Sequence, residues 1–239
     1  MPAGDTTSEL DHRLAEVEAL RKRVLNVIPH ALRTPITTFR GLAEALTTAT
    51  DTQIREEIGP ALRRLAAQAE HLLDDMLIAA GYTTALPTAA VEPTPVEETI
   101  AAVWSDLGGS DEGLVVTSSG RHAVLMAPGS LFKLLVHLLD NARKYGDAPV
   151  RVVVGDSDEG VVRLDVVTAG AVPPDLGMFV EPFYRGETAV MRAPGLGVGL
   201  TVARALAEQA GGSVEVVAGE GEGGGVTSRV VLPAAEEQG

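Results

Sequence analysis

Residues 28–46 read IPHALRTPITTFRGLAEAL, and the apolar members Ile28, Leu32, Ile36, Phe39, Leu42 and Leu46 fall three or four apart. That spacing puts them on one face of an α-helix. The stripe runs on upstream through Leu10, Leu14, Val17 and Val24. With Ile28, Leu32 and Ile36 facing inward, His30 is turned by about 200° from Ile28 and points outward. A neutral imidazole on an exposed helix face is a good nucleophile near neutral pH, because its pKa lies close to that value. An ordinary surface histidine is the plainer reading, but Pro29 and Pro35 bracket this one. Each proline costs roughly 3 kcal/mol inside a helix and removes a backbone hydrogen bond. A helix that keeps both around one histidine is bent there for a purpose.

Downstream, TTATDT (residues 47–52) breaks the stripe, and a second follows with Ile54, Ile58, Leu62, Leu65, Leu72, Met76 and Leu77. Two long helices joined by a short loop form an antiparallel hairpin. A lone hairpin leaves much of its apolar surface wet, so pairing into a homodimeric four-helix bundle is expected. Residues 81–95, GYTTALPTAAVEPTP, carry three prolines and little periodicity and read as a linker. Beyond it the pattern predicts a helix at 96–107, strands at LVVTSS and HAVLMA, and a helix at 129–145. VRVVVGD and VVRLDVVT flank the turn SDEG and read as a hairpin. Residues 170–198 are irregular, a helix follows at 199–210, and SVEVVA with TSRVVLP closes the chain as a hairpin. The expected fold is thus a helical hairpin followed by an α/β sandwich, with helices on one face of a mixed sheet.

The totals fit two small domains in 239 residues, 45% of them hydrophobic and only 3% aromatic. A net charge of −14 argues against nonspecific binding to nucleic acid or to an anionic membrane surface. Without cysteine there is no disulfide, thiol nucleophile or thiolate metal ligand. The start, MPAGDTTSEL, lacks the order of a signal peptide. No apolar stretch approaches the ~20 residues that span a bilayer. The expectation is a cytoplasmic chain with no membrane insertion of its own, which a sensor could precede in a longer parent.

Three further segments carry chemistry. In HLLDNARKY (residues 137–145), Asn141 and Lys144 sit three apart on one helical face. An amide oxygen that can ligate Mg²⁺ beside an ammonium that can meet phosphate suits a triphosphate, although a solvated polar face shows the same residue types. Gly195-Leu196-Gly197-Val198-Gly199-Leu200 opens a helix. Glycines let backbone approach an anion closely, and a helix N-terminus supplies free N–H groups. No strand directly precedes this run, which counts against a dinucleotide-binding fingerprint. Thr168-Ala169-Gly170-Ala171-Val172-Pro173 ends the predicted hairpin.

Taken in order, these segments resemble the boxes of two-component sensor histidine kinases. PHALRTPI is similar to the H-box S-H-E-L-R-T-P-L, and HLLDNARKY to the N-box N-L-L-D-N-A-x-K-Y. Phe179-Val-Glu-Pro-Phe183-Tyr184-Arg185 resembles the F-box, and GLGVGL the G2 box G-T-G-L-G-L. Thr168-Ala-Gly170-Ala-Val172-Pro matches D-x-G-x-G-I-P, the G1 box, less closely, and GGGVTSRVVLP resembles G-x-G-T-x-F-x-V-x-L-P near the end. The resemblance covers residues 20–233. It implies a dimerisation and phosphoacceptor domain over 7–80, a linker over 81–95 and a Bergerat-type α+β ATP-binding domain over 96–233. It implies that His30 is phosphorylated and that Thr34 helps place the water that dephosphorylates a response regulator. Asn141 would ligate Mg²⁺, Lys144 would meet phosphate, and Tyr145 would lie beside the nucleoside. Thr168, Gly170, Arg185, Gly195, Gly197, Gly199 and Leu200 would complete the ATP site, under a lid formed by residues 186–194.

The departures are Ala31, where the family has an acidic neighbour that orients the imidazole, and Thr168, where it has an adenine-binding Asp. Val172 replaces a glycine, His137 an asparagine, and Val226 and Ser228 also differ from the pattern. Between Glu18 and Glu44 there is no Asp or Glu, so a base comes from another segment or the phosphorylation step is slow. The expected function is transfer of the ATP γ-phosphoryl to His30 and then to the aspartate of a response-regulator receiver domain. The alternative is a degenerate kinase acting as a dimeric phosphotransfer or phosphatase docking protein. A serine-directed kinase of the anti-sigma type is disfavoured by the hairpin bearing His30.

Overall fold

The computed structural model describes residues 28–29, 32–82, 86, 88–157, 160–172, 174–186, 195–219 and 225–235. His30, Ala31 and the lid residues 187–194 lie outside the described residues, as does the helical stripe before residue 28. The chain divides into two compact units between Met76 and Leu77.

In the first unit, helix α1 covers residues 32–46 and gives way to a turn at 47–48. The chain re-enters helix through a capping box. Thr50 Oγ1 accepts from the Gln53 N–H at 3.3 Å, while Gln53 Oε1 accepts from the Thr50 N–H at 3.0 Å. Helix α2 (Asp51–Gln53) runs through a π-helical turn (Ile54–Ile58) into α3 (Gly59–Ala79). The cause of the π turn is Pro60, which has no N–H for the Glu56 carbonyl. The ladder instead widens, and the Gly59 N–H bonds to the Ile54 carbonyl. On α1 the residues Leu32, Ile36, Phe39 and Leu46 are exposed, Ile36 by 56% and Phe39 by 58%. They recur at alternating intervals of four and three, Ala43 filling the remaining place, which is the seam of a helix that packs on another helix.

The second unit is a two-layer α/β sandwich. Its sheet has the order β2-β4-β5-β7-β6, from strands β2 (Leu114–Ser118), β4 (Asp147–Ser157), β5 (Val161–Ala169), β6 (Ser213–Ala218) and β7 (Val226–Pro233). β2 and β4 are parallel and the other neighbours antiparallel. Side chains alternate as a one-sided sheet requires. Val152, Val154, Val162, Leu164, Val166, Val230 and Leu232 are buried. Arg151 and Arg163 face out, and Arg229 makes a two-toothed ion pair with Asp165 at 3.0 and 3.2 Å.

Helices α4 (Val96–Asp106), α5 (Pro128–Tyr145) and α6 (Gly199–Gln209) cover the inner face. α5 has Pro at its first position, where the missing N–H costs nothing, and Arg143 and Lys144 in its last turn. Leu131, Leu134, Leu135, Leu138, Leu139 and Ala142 form its buried stripe, and it packs against both α4 and α6. The helix expected at 129–145 and that expected at 199–210 are observed within a residue of those limits.

One segment differs from the expectation. The end of the presumed linker, Glu92–Pro95, is strand β1, antiparallel to β3 (Ala123–Met126). Pro93 and Pro95 hide it from pattern reading because neither can donate to a ladder, yet such a strand is tolerated where only one side is paired. Thr94 secures it, its buried hydroxyl donating to the Met126 carbonyl at 2.6 Å.

Candidate functional site

Segments far apart in sequence meet along the C-terminal half of α5. Gly199, the first residue of α6, lies so close to α5 that a Cβ there would stand 3.4 Å from His137 Nδ1 and 3.5 Å from Asn141 Nδ2. The Asn141 Oδ1 would be 3.7 Å away. A Cβ at Gly195 would stand 3.5 Å from the Tyr145 hydroxyl. Gly197 has φ +70°, and a Cβ there would overlap the Tyr184 carbonyl oxygen and reach within 2.8 Å of Arg185 Cγ. The glycine run is therefore threaded between α5 on one side and the Tyr184-Arg185 segment on the other. Leu200 follows as the second residue of α6, half-buried.

The Tyr184 segment is itself held. The Tyr184 hydroxyl donates to Asp175 Oδ2 at 3.4 Å, and its ring meets Phe179 edge-on at 5.8 Å. Phe183, buried, takes φ +59°, a conformation that costs a non-glycine residue about 1–2 kcal/mol. Thr201 Oγ1 donates to the Val180 carbonyl at 3.1 Å and so ties α6 to the 3₁₀ turn Leu176–Val180. Among the described residues no side chain caps α6. Its first N–H groups and the positive end of its dipole are therefore directed to the space beside Asn141, a setting suited to an anion.

Thr168 closes the far end of the site. Gly146, which follows Tyr145, is packed against it, a Cβ at Gly146 lying 2.8 Å from Thr168 Cγ2. Gly225, with φ +112°, approaches the Thr168 carbonyl from the other strand. Gly170 has φ +138° and open space where its Cβ would be, and Val172 is 42% exposed. Thus Asn141, Tyr145, Arg185, Gly195, Gly197, Gly199 and Leu200 are brought together, with Thr168 at the end of α5. Lys144 is arranged differently, its Nζ in an ion pair with Asp140 one turn back. Asp140 also receives Arg143 at 3.3 Å, and Arg143 Nη1 donates to the Leu107 carbonyl at 2.6 Å. In the other unit Thr34 is exposed, and its carbonyl accepts from Thr38 Oγ1 at 3.1 Å.

Sequence reasoning missed Asp140, Thr201, Gly146 and Gly225. Asp140 was open to discovery, since an acid four residues before a lysine is a standard helical pair. The other three owe their places to partners 21 or more residues away, for which no local pattern exists.

Two family models match the chain. The "His Kinase A (phospho-acceptor) domain" matches residues 20–80, and the "Histidine kinase-, DNA gyrase B-, and HSP90-like ATPase" matches residues 126–236. The chain belongs to the sensor histidine kinases. Sensor protein KdpD of Escherichia coli (strain K12) is 30% identical over 242 residues, 95% of this chain and 26% of KdpD. Sensor protein CutS of Streptomyces coelicolor is 28% identical over 243 residues, 96% of this chain and 56% of CutS. The histidine-kinase chain accordingly spans only part of the length of these curated relatives. Among solved structures, full-length ShkA in complex with AMPPNP has a TM-score of 0.59 at 26% identity, covering 91% of this chain and 46% of ShkA. The mycobacterial sensor histidine kinase MprB has a TM-score of 0.51 at 25% identity, covering 61% of this chain and 98% of the MprB chain.

The first matched region is thus a phospho-acceptor domain of the His Kinase A type, and the second is an ATP-binding domain. Nothing in these likenesses favours the degenerate-kinase alternative. Among the described residues, no helix of this histidine kinase is long and apolar enough to cross a membrane.

Proposed function

We propose that this chain, as a homodimer, transfers the γ-phosphoryl group of ATP to His30 and passes it to an aspartate of a response-regulator receiver domain. The observation that carries this reading is the convergence of Asn141, Tyr145 and the Gly195–Gly199 run at the uncapped start of α6. ShkA, whose structure contains AMPPNP, supports the same reading by its likeness. In this proposal residues 7–80 hold the dimer seam and the phosphoacceptor, 81–95 connect, and 96–233 bind nucleotide, with β1 adding its strand to that domain.

Mg²⁺ fits the donor set. Among the described residues no three His, Asp or Glu side chains converge on a metal. Asn141 offers one hard amide oxygen, and the phosphates themselves supply further oxygens, the usual manner of holding this ion. When bound, Mg²⁺ neutralises phosphate charge. The protein's share is positioning. The α6 N-terminus and the glycine backbone hold the phosphates, Arg185 and Lys144 bring positive charge, and Tyr145 and Thr168 border the nucleoside. Lys144 must turn from Asp140 to do so. His30 Nε2 then forms a bond to the γ-phosphorus as the bond to the bridging oxygen breaks, and ADP leaves with that electron pair. Thr34, one turn from His30, orients water for dephosphorylation of the regulator.

The test is incubation with γ-labelled ATP and Mg²⁺ followed by acid. Label that is acid-labile and absent from His30→Gln is the expected result. Acid-stable label, or label that persists in His30→Gln, overturns the assignment.

A further inference from the structure

A second cluster of reactive side chains lies where the β2–β3 loop crosses the start of α4. His122 is buried, its side chain only 3% exposed, and both its backbone groups are fixed. Its N–H donates to Glu97 Oε2 at 3.1 Å, and its carbonyl accepts from the Val96 N–H at 2.9 Å. The ring is held as firmly. Nδ1 lies 2.7 Å from Glu97 Oε1, and Nε2 lies 3.3 Å from the hydroxyl of exposed Ser119. Ser118 Oγ donates to Glu97 Oε1 at 2.8 Å. Among the described residues, further charged neighbours are Asp156, with Oδ1 3.5 Å from Nε2 and a side chain 78% exposed, and Arg121, 4.0 Å from Glu98.

Each position has a chemical consequence. Burial alone would raise the Glu97 carboxyl, but the hydrogen bonds from the His122 ring, the His122 N–H and Ser118 outweigh it and hold it below its ordinary value. Ionised Glu97 accepts the Nδ1 proton, which leaves the Nε2 lone pair facing Ser119. Asp156 favours the imidazolium that would form on proton transfer. Ser119 itself is exposed, and a Cβ at Gly155 would stand 3.7 Å from its Oγ. A hydroxyl, a base and an acid in this order are what activates a serine.

We propose that Ser119, His122 and Glu97 form a second reactive centre, separate from the nucleotide site, at which Ser119 is acylated by uncharged activated esters. Ser119 Oγ attacks the ester carbonyl carbon and forms the new C–O bond, its proton passing to His122 Nε2. The bond to the alcohol oxygen breaks, and that oxygen leaves with the electron pair and recovers the proton from His122. Glu97, Glu98 and Asp156 border the centre in a chain of net charge −14, so anionic acyl donors are repelled and a neutral ester is the class that fits.

The full chain is exposed to p-nitrophenyl acetate, and acetylation is located by peptide mass spectrometry. Ser105, also exposed, on α4 and without a histidine partner in this cluster, serves as the internal reference. Ser119 should be acetylated at least about tenfold faster than Ser105, the lower part of the range for general-base assistance. Ser119→Ala, an exposed change that leaves the fold intact, should remove the fast phase of nitrophenolate release. His122→Gln, with folding checked by its melting curve, should slow acetylation of Ser119 by a similar factor. Acetylation of Ser119 no faster than Ser105, or an unchanged fast phase in Ser119→Ala, shows that the cluster only satisfies a buried histidine and overturns the proposal.

Discussion

Gly197→Ala tests the glycine run most sharply, because two separate costs fall on one methyl group. At φ +70° an L-residue pays about 1–2 kcal/mol for the left-handed conformation. The added Cβ would also meet the Tyr184 carbonyl oxygen and Arg185 Cγ, and overpacking of that kind typically costs about 1–3 kcal/mol. The backbone oxygen cannot rotate away as a side chain could, and Tyr184 is anchored to Phe179 and Asp175. The sum is about 2–5 kcal/mol, which for a domain of this size lowers the melting temperature by roughly 5–15 °C. Gly199→Ala is the matched control for fold: its Cβ would lie 3.4 Å or more from every neighbour, and Gly199 is already helical. It should melt within about 2 °C of the parent, a shift of under about 1 kcal/mol, yet lose ATP affinity as the methyl intrudes beside Asn141. Circular dichroism melting of both variants, without nucleotide, is the assay. If Gly197→Ala melts with the parent, the loop is not threaded between α5 and Tyr184 as described.

At a nucleotide concentration one hundredfold above Kd, Mg·ATP should stabilise the second unit by about 2.7 kcal/mol through mass action, and Asn141→Ala should remove most of that shift in differential scanning fluorimetry. Light scattering should report twice the chain mass, and Ile36→Lys with Phe39→Lys should give monomer by charging the exposed α1 seam. Glu97 is held below its ordinary carboxyl value, so its contribution is fully present above the unfolded pKa and is lost as pH falls through the folded one. The stability difference between the parent and Glu97→Gln should therefore shrink on acidification below about pH 4.5, as read by urea melts. Ala31→Glu should speed labelling of His30 by at least about tenfold, or ~1.4 kcal/mol of barrier, if the missing carboxylate limits the chemical step. Single-turnover labelling no faster than that of the parent would place the limit elsewhere, with Thr168 the next residue to change.

What could be read from the sequence is what one element does by itself. Leu131, Leu134, Leu135, Leu138 and Leu139 announce a helix before any partner is known, and the alternation of buried Val152 and Val154 with exposed Val153 announces a one-sided strand. The failures have physical causes of two kinds. Pro93 and Pro60 suppress the expected pattern, and the structure answers with a strand paired to β3 and with a π turn. The other kind is distance along the chain. Glu97 meets His122 across 25 residues and Asp165 meets Arg229 across 64, and nothing local encodes either meeting.

The glycines show most clearly where pattern reading stops. Gly170 sits in the G1-like pattern and Gly197 in the G2-like one, and both have positive φ. Gly170 stands against open space, so a side chain there would suffer only from its backbone conformation. Gly199 could carry a Cβ in ordinary contact with His137 and Asn141, but Gly197 faces the Tyr184 carbonyl oxygen, and there the missing Cβ is what lets one element touch another. A motif written as G-x-G-x-G cannot separate these cases, because the letter records the absence of a side chain and not the atom that occupies its place. That occupant is the Tyr184 carbonyl at Gly197. Any rearrangement that moves the Tyr184 segment must therefore also move the glycine backbone, and with it the start of α6.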